Sequence, residues 1–177
     1  MTSTHPLIMR DARPDELDMV RELTLAAYAE YAMIMRPSAW EGLQQAIDAG
    51  LNTLEAAECI VAEQHGELIG SVLLFPGNLD TYGSALDRAG WPEVRLLAVV
   101  PAARGSGVGT ALLGECMRRA EQAGATALGL HTSASMRAGI RMYERMGFAR
   151  APEYDFQPDG AELVMAYVLP LARETPG

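Results

Sequence analysis

The run Val99-Val100-Pro101-Ala102-Ala103-Arg104-Gly105-Ser106-Gly107-Val108-Gly109-Thr110 decides how the rest of this chain is read. It follows the most apolar stretch of the sequence, Pro92 to Val100, and leads into a segment whose apolar residues Val108, Leu112, Cys116 and Ala120 recur at helical spacing. The order is strand, glycine-rich loop, helix. A helix start carries unpaired N–H groups and partial positive charge, so it attracts anions. Glycine lets the backbone approach a phosphate closely and adopt positive φ where the loop folds beneath it. Arg104 adds a cation at the entry. Read this way, the loop is a cradle for a diphosphate. The glycines alone also fit a tight turn that binds nothing; Arg104 and the strand–helix setting argue against that reading. The spacing is not the dinucleotide pattern G-x-G-x-x-G, because Gly109 comes one residue early, and no Gly-Lys-Ser/Thr follows to make a nucleotide-triphosphate loop.

Upstream, Leu7 to Arg10 reads as a short edge strand. Arg13 to about Tyr31 reads as a helix, with Pro14 in its first turn and Asp15, Glu16 and Asp18 at the positive end of its dipole. A second helix is expected from near Ser38 to a stop at Gly50. The period then changes: Cys59 to Glu63 and Leu68 to Phe75 are strand-like, joined by the turn pair His65-Gly66. Residues 76 to 90 are rich in turn formers, and Gly83 to Gly90 has the composition of a flexible lid. Downstream of the loop helix (about Val108 to Ala123), Thr126 to His131 reads as a strand and Ser135 to Met146 as a helix. Phe148 to Phe156 and Leu163 to Leu169 read as a closing pair of strands. This order predicts one α/β domain with a mixed, mostly antiparallel sheet of six to seven strands flanked by about four helices, spanning residues 7 to 169. Residues 1 to 6 and 170 to 177 read as loose ends.

With 177 residues and 49% apolar composition, the chain can bury a core without staples. Its formal charge of −9 argues against a nucleic-acid partner and an anionic membrane surface, and leaves cationic small molecules or basic peptides as partners. No apolar run approaches the roughly 18 residues that a membrane span needs. The first residues lack the basic and apolar segments of an export signal, so a cytoplasmic protein is expected. Cys59 and Cys116 form no CxxC pair and three isolated histidines give no ligand spacing; a metal is not expected.

Leu97-Ala98-Val99, then Pro101, then Arg104-Gly105-Ser106-Gly107-Val108-Gly109 resembles the acetyl-CoA-binding motif R/Q-x-x-G-x-G/A of the GNAT superfamily of N-acetyltransferases. The element order is similar to that family's fold over roughly residues 7 to 169. The resemblance implies that backbone amides from Gly105 to Thr110, through Ser106, Gly107, Val108 and Gly109, hold the CoA diphosphate. It also implies that the strand edge at Leu97, Ala98 and Val99 binds the pantetheine arm, aided by a splay between this strand and the one at 126 to 131.

The stretch Met136 to Phe148 makes local sense before any family is invoked. Gly147 suits the residue just past a helix end, and Phe148 is placed to pack on Tyr143 in a Schellman-type stop. Arg141 and Arg145 complement the negative helix end. The same stretch resembles the family's signature N-x-x-A-x-x-L-Y-x-x-x-G-F, with Met136 in place of Asn and Gly139 in place of Ala. The resemblance gives Tyr143 the role of acid to the departing CoA thiolate, and a neutral phenol suits it. Glu93 is the candidate base, with a solvated strand-start glutamate or a partner for Arg95 as the plainer readings. By the period of two, Glu93, Arg95, Leu97 and Val99 share one face unless a bulge intervenes. Tyr28, Tyr31 and Trp40, near Met33, Met35, Glu30 and Glu41, are candidates for an acceptor pocket, or else core aromatics on helices. His131, at a strand end, is a lesser candidate for the cleft.

These readings converge on an enzyme that moves acetyl from acetyl-CoA to a primary amine by direct attack in a ternary complex, without a covalent nucleophile. The acceptor is a small molecule or peptide, and the resemblance points to a homodimer through the last strands. A non-catalytic CoA sensor of the same fold is the alternative.

Overall fold

The structure, a computed structural model, describes residues 5–77, 89–159 and 161–172. Strand β1 (Ile8–Asp11) is followed by helices α1 (Leu17–Tyr28) and α2 (Pro37–Asn52), then by strands β2 (Glu58–Gln64), β3 (Glu67–Phe75) and β4 (Glu93–Val99). Helix α3 (Val108–Gln122), strand β5 (Ala127–Thr132), helix α4 (Arg137–Arg145) and strands β6 (Ala149–Arg150) and β7 (Met165–Pro170) complete the chain. This is the expected order. The long first helix is segmented: the turn at Pro14–Glu16 and the stretch Ala29–Met33 are 3-10. The expected strand over 148 to 156 shrinks to Ala149–Arg150. Pro152 offers no N–H to the ladder and starts a 3-10 turn, and a single bridge, Phe156 to Val164, lies beyond it. The lid expected over Gly83 to Gly90 falls largely outside the described residues.

Among the described residues, seven strands form one sheet in the order β1-β2-β3-β4-β5-β7-β6. All neighbours are antiparallel except β4 and β5. The β2–β3 turn places His65 and Gly66 at φ 54° and 77°, the positive pair of a type I′ hairpin. Helices α3 and α4 cover one sheet face, where Val108, Leu112, Leu113, Cys116 and Ala120 pack with Ile60, Val72, Val94, Leu128 and Leu130. Helices α1 and α2 cover the other, where Val20, Ile47 and Leu51 meet Val61, and Leu23 and Ala27 meet Ala98. Among the described residues, no helix is long and apolar enough to cross a membrane.

Two features of the sheet prepare the site. The parallel pairing of β4 with β5 stops after Glu93–Gly129 and Val94–Leu130, so the strands part from there on. The β3–β4 register shifts between Ser71 and Leu73, because the stretch from Arg95 to Ala98 faces only Leu73 to Ser71, and Leu96 takes φ 52°. That is a bulge with one extra residue. It corrects the shared face expected for Glu93, Arg95, Leu97 and Val99. Beyond the bulge, Ala98 pairs with Ser71, on the face of Arg95, and Val99 pairs with Gly70, on the face of Val94.

Arg10 ties β1 to the start of α1 and to β2, donating to both carboxylate oxygens of Glu16 (2.7 and 2.8 Å) and to Glu63 (2.7 and 2.9 Å). The Arg10 hydrogen bonds, with the Arg13 amide, hold the Glu16 carboxyl at about 2, below the ordinary 4.5. Arg118, then Arg119, hold Glu115 at about 2 as well. A folded-state pKa below the unfolded one adds stability that is complete above the unfolded value and disappears as pH falls through the folded one. Thermal melts are therefore expected to hold steady above about pH 5 and to fall steeply between about pH 4.5 and 2, with a shallower acid limb in Arg10→Met.

Candidate active site

The chain leaves β4 through a 3-10 turn at Pro101–Ala103, extends at Arg104, and reaches α3 through Gly105 at φ 76° and Gly107 at φ 87°. A side chain at either glycine would strain the backbone, although its Cβ would meet nothing within 4 Å. Gly107 is the N-cap of α3, which carries no side-chain cap. The nearby hydroxyl of Ser106 donates back to the Ala103 carbonyl instead, tightening the turn. The first amides of α3 are therefore left for a ligand. Gly109 lets α4 lie against this helix start, since a Cβ there would sit 3.2 Å from Met142 Sδ.

A cleft of about 560 Å³ runs from the loop to Tyr143. Leu97, Ala98 and Val99 line it from the strand side, Gly105, Gly107, Val108, Gly109 and Thr110 from the loop, and Tyr28 and Tyr31 from α1 and its extension. The parted strands and the bulge open this space. Tyr28 fixes one wall by donating from its hydroxyl to the Leu97 carbonyl at 2.9 Å.

Tyr143 is held by the stop of α4. The Phe148 amide donates to the Tyr143 carbonyl at 3.0 Å and the Gly147 amide to Glu144 at 3.1 Å, with Gly147 at φ 100°, which is the Schellman pattern expected from sequence. The Tyr143 ring meets Phe148 edge-on at 6.0 Å. A Cβ at Gly139 would lie 3.5 Å from the phenol oxygen, so this helix turn supports the ring. Burial, with the Tyr31 phenol nearby, pushes the Tyr143 pKa up. It stays protonated at neutral pH.

Four expected site residues sit differently. Arg104 lines the cleft, but its charge is already engaged there: its guanidinium grips both oxygens of Glu30 at 2.7 Å and donates to the Ala27 carbonyl at 2.9 Å. It braces α1 against the loop, and Glu30 is thereby engaged. Glu93 is only 4% exposed and does not line the cleft. One oxygen accepts from Arg95 at 2.9 Å and the other faces His131 Nδ1 at 2.9 Å. Burial alone would raise the Glu93 pKa, but the hydrogen bonds and charges of His131 and Arg95 outweigh it, and the net direction is down. A carboxylate so held is a weak base, and the plainer reading as the partner of Arg95 prevails. His131 also lies outside the cleft; its Nε2 donates to the Tyr154 carbonyl at 3.0 Å. Trp40 is half-buried on α2, away from the cleft that Tyr28 and Tyr31 line.

Glu93→Gln removes the buried carboxylate charge that Arg95 and His131 share. It is expected to cost about 3 kcal/mol, or a fall of roughly 6–12 °C in melting temperature for a chain of this size, measured by calorimetry or dichroism.

Among the cleft residues that sequence reading did not place there are two cations, Arg141 and Arg145. They read as helix-end cations; their spacing of four, flanking Tyr143, was the available signal. Burial pushes the Cys116 thiol up to about 12 and the Cys59 thiol up to about 11, so neither is a ready nucleophile. Among the described residues, no cluster of three or more histidine, cysteine or acidic side chains is arranged to hold a metal ion.

The sequence profile described as the acetyltransferase (GNAT) family matches residues 17–148. Over 107 residues the chain is 34% identical to a protein named IAA acetyltransferase from Azospirillum brasilense; the match covers 60% of this chain and 64% of that protein. Among solved structures, a GNAT family acetyltransferase from Brucella melitensis in complex with acetyl-CoA is 24% identical, with a TM-score of 0.62 over 97% of this chain and 92% of its own. The ribosomal-protein-S18-alanine N-acetyltransferase from Escherichia coli is 21% identical, with a TM-score of 0.65 over 96% and 97%. At these identities the structural likeness shows the fold.

Proposed function

Because the chain belongs to the GNAT acetyltransferase family, we propose that it transfers an acetyl group from acetyl-CoA to a primary amine by direct attack in a ternary complex. One observation carries this reading: the uncapped start of α3 and the phenol of Tyr143 stand at two ends of one cleft. Acetyl-CoA supplies the activated thioester. The amides from Gly105 to Thr110 hold its diphosphate, and the open edge of β4 at Leu97, Ala98 and Val99 takes the pantetheine arm. Holding amine and carbonyl together removes most of the entropic barrier. The amine bonds to the carbonyl carbon, the carbon–sulfur bond breaks, and Tyr143 gives its hydrogen bond and then its proton to the sulfur. The two protons that the nitrogen sheds, one from the ammonium before attack and one from the tetrahedral adduct, leave through solvent, which also returns a proton to the Tyr143 phenolate; Glu93 is engaged on both oxygens outside the cleft. The cleft's Tyr28 and Tyr31 offer aromatic faces to an acceptor.

Calorimetric titration with CoA, followed by a thiol-release assay over polyamines, amino acids, amine antibiotics and peptide N-termini, tests the reading. Binding with release on at least one amine is expected. Binding with no release across the panel leaves a CoA-binding module, and absence of binding overturns both.

A further inference from the structure

The charge pattern of α4 is out of keeping with the rest of the protein. All fourteen basic side chains of the sequence are arginines, in a chain of formal charge −9. Arg10, Arg95, Arg104, Arg119 and Arg150 are each bound to a carboxylate. Arg137, Arg141 and Arg145 are exposed, stand four residues apart along one helix, and have no carboxylate partner among the described residues. Like charges at this spacing repel and weaken a helix. Of the nearby carboxylates, Glu30 is committed to Arg104, and Glu144, exposed on α4 itself, forms no ion pair with any of the three.

Position gives the row a purpose. Met142 packs on Gly109 in the first turn of α3, which sets Arg141 and Arg145 on either side of that contact, and both line the cleft with the glycine loop. The loop's own arginine is neutralised by Glu30, so these two are the unpaired cations of the cleft among the described residues. Backbone amides suffice for a diphosphate at a helix start. They do not reach a second phosphate on the same ligand, whereas two guanidinium groups one turn apart can close on one tetrahedral dianion through charge-assisted hydrogen bonds.

We propose that Arg141 and Arg145 form a second anion site that binds the ribose phosphomonoester of CoA, so that the protein discriminates CoA from dephospho-CoA. The proposal rests on the CoA reading above and adds which residues set the choice of ligand. Arg141 also borders an adjoining hollow of about 620 Å³ that Arg137 lines, so Arg137 lies at the outer edge of the same positive strip.

The test is calorimetric titration of the full chain with CoA and with dephospho-CoA, in the native protein, in Arg141→Gln/Arg145→Gln, and in Arg141→Lys/Arg145→Lys. The native protein is expected to prefer CoA by about 10- to 100-fold. The glutamine pair should bring the preference to within about threefold, without weakening dephospho-CoA, and the lysine pair should restore part of it. Melting temperatures report whether each variant is folded. Equal native affinity for the two ligands overturns the proposal and leaves the CoA reading intact; so does a glutamine pair that weakens both ligands alike. Failure of both ligands to bind the native protein removes the CoA reading itself.

Discussion

Replacing Tyr143 with phenylalanine is expected to lower kcat by about 10²- to 10⁴-fold, the usual range for loss of a positioned acid. CoA affinity and melting temperature should stay close to native. The ring's packing against Phe148 and the backbone stop at Gly147 do not need the hydroxyl. The hydroxyl has no protein partner among the described residues, so its removal strands no buried group. A fall in kcat with little change in KM for acetyl-CoA identifies a group that acts in the transition state, as distinct from one that holds the ligand. Steady-state kinetics with the best amine of the acceptor panel measures this. A variant as active as the native protein would move the acid role elsewhere in the cleft.

Replacing Gly107 with valine is expected to weaken CoA binding by at least about 100-fold. At φ 87° a β-branched residue is strained, by roughly 1–2 kcal/mol or more, and relieving that strain rotates the peptide planes that aim amides into the cleft. The helix itself should survive, because α3 is anchored further along by Leu112, Leu113 and Cys116, all fully buried. The predicted signature is a large loss in calorimetric affinity with a fall of only a few degrees in melting temperature. Gly114, mid-helix in α3 with open space around its Cβ position, supplies the control: Gly114→Ala should bind CoA as the native protein does and gain slightly in stability.

Much of this site was legible because its determinants are local. The loop glycines, the apolar row Val108, Leu112, Cys116 and Ala120, and the Gly147-Phe148 stop all lie within one or two turns of what they control, and each stands where its pattern placed it. The hidden parts depend on distant partners. Arg104 is neutralised by Glu30, 74 residues earlier. Glu93 is captured by His131, 38 residues later, as well as by Arg95 next door but one. Leu96 bears no mark of a left-handed residue; packing against Gly50, where a Cβ would come within 2.8 Å of its side chain, accompanies the bulge that re-aims β4. Pro152, by contrast, is a local signal against a strand over 148 to 156, and the expectation of one passed over it.

The central claim is that the main-chain donors opening α3 grip a diphosphate, and amide chemical shifts report on those donors one by one. In ¹H–¹⁵N spectra of labelled protein titrated with CoA, the amides of Gly105, Gly107, Val108, Gly109 and Thr110 are expected to move furthest, shifting downfield as they acquire an anionic acceptor, while amides of β1 and β2 stay in place. CoA that binds and leaves those five signals where they were would contradict the account.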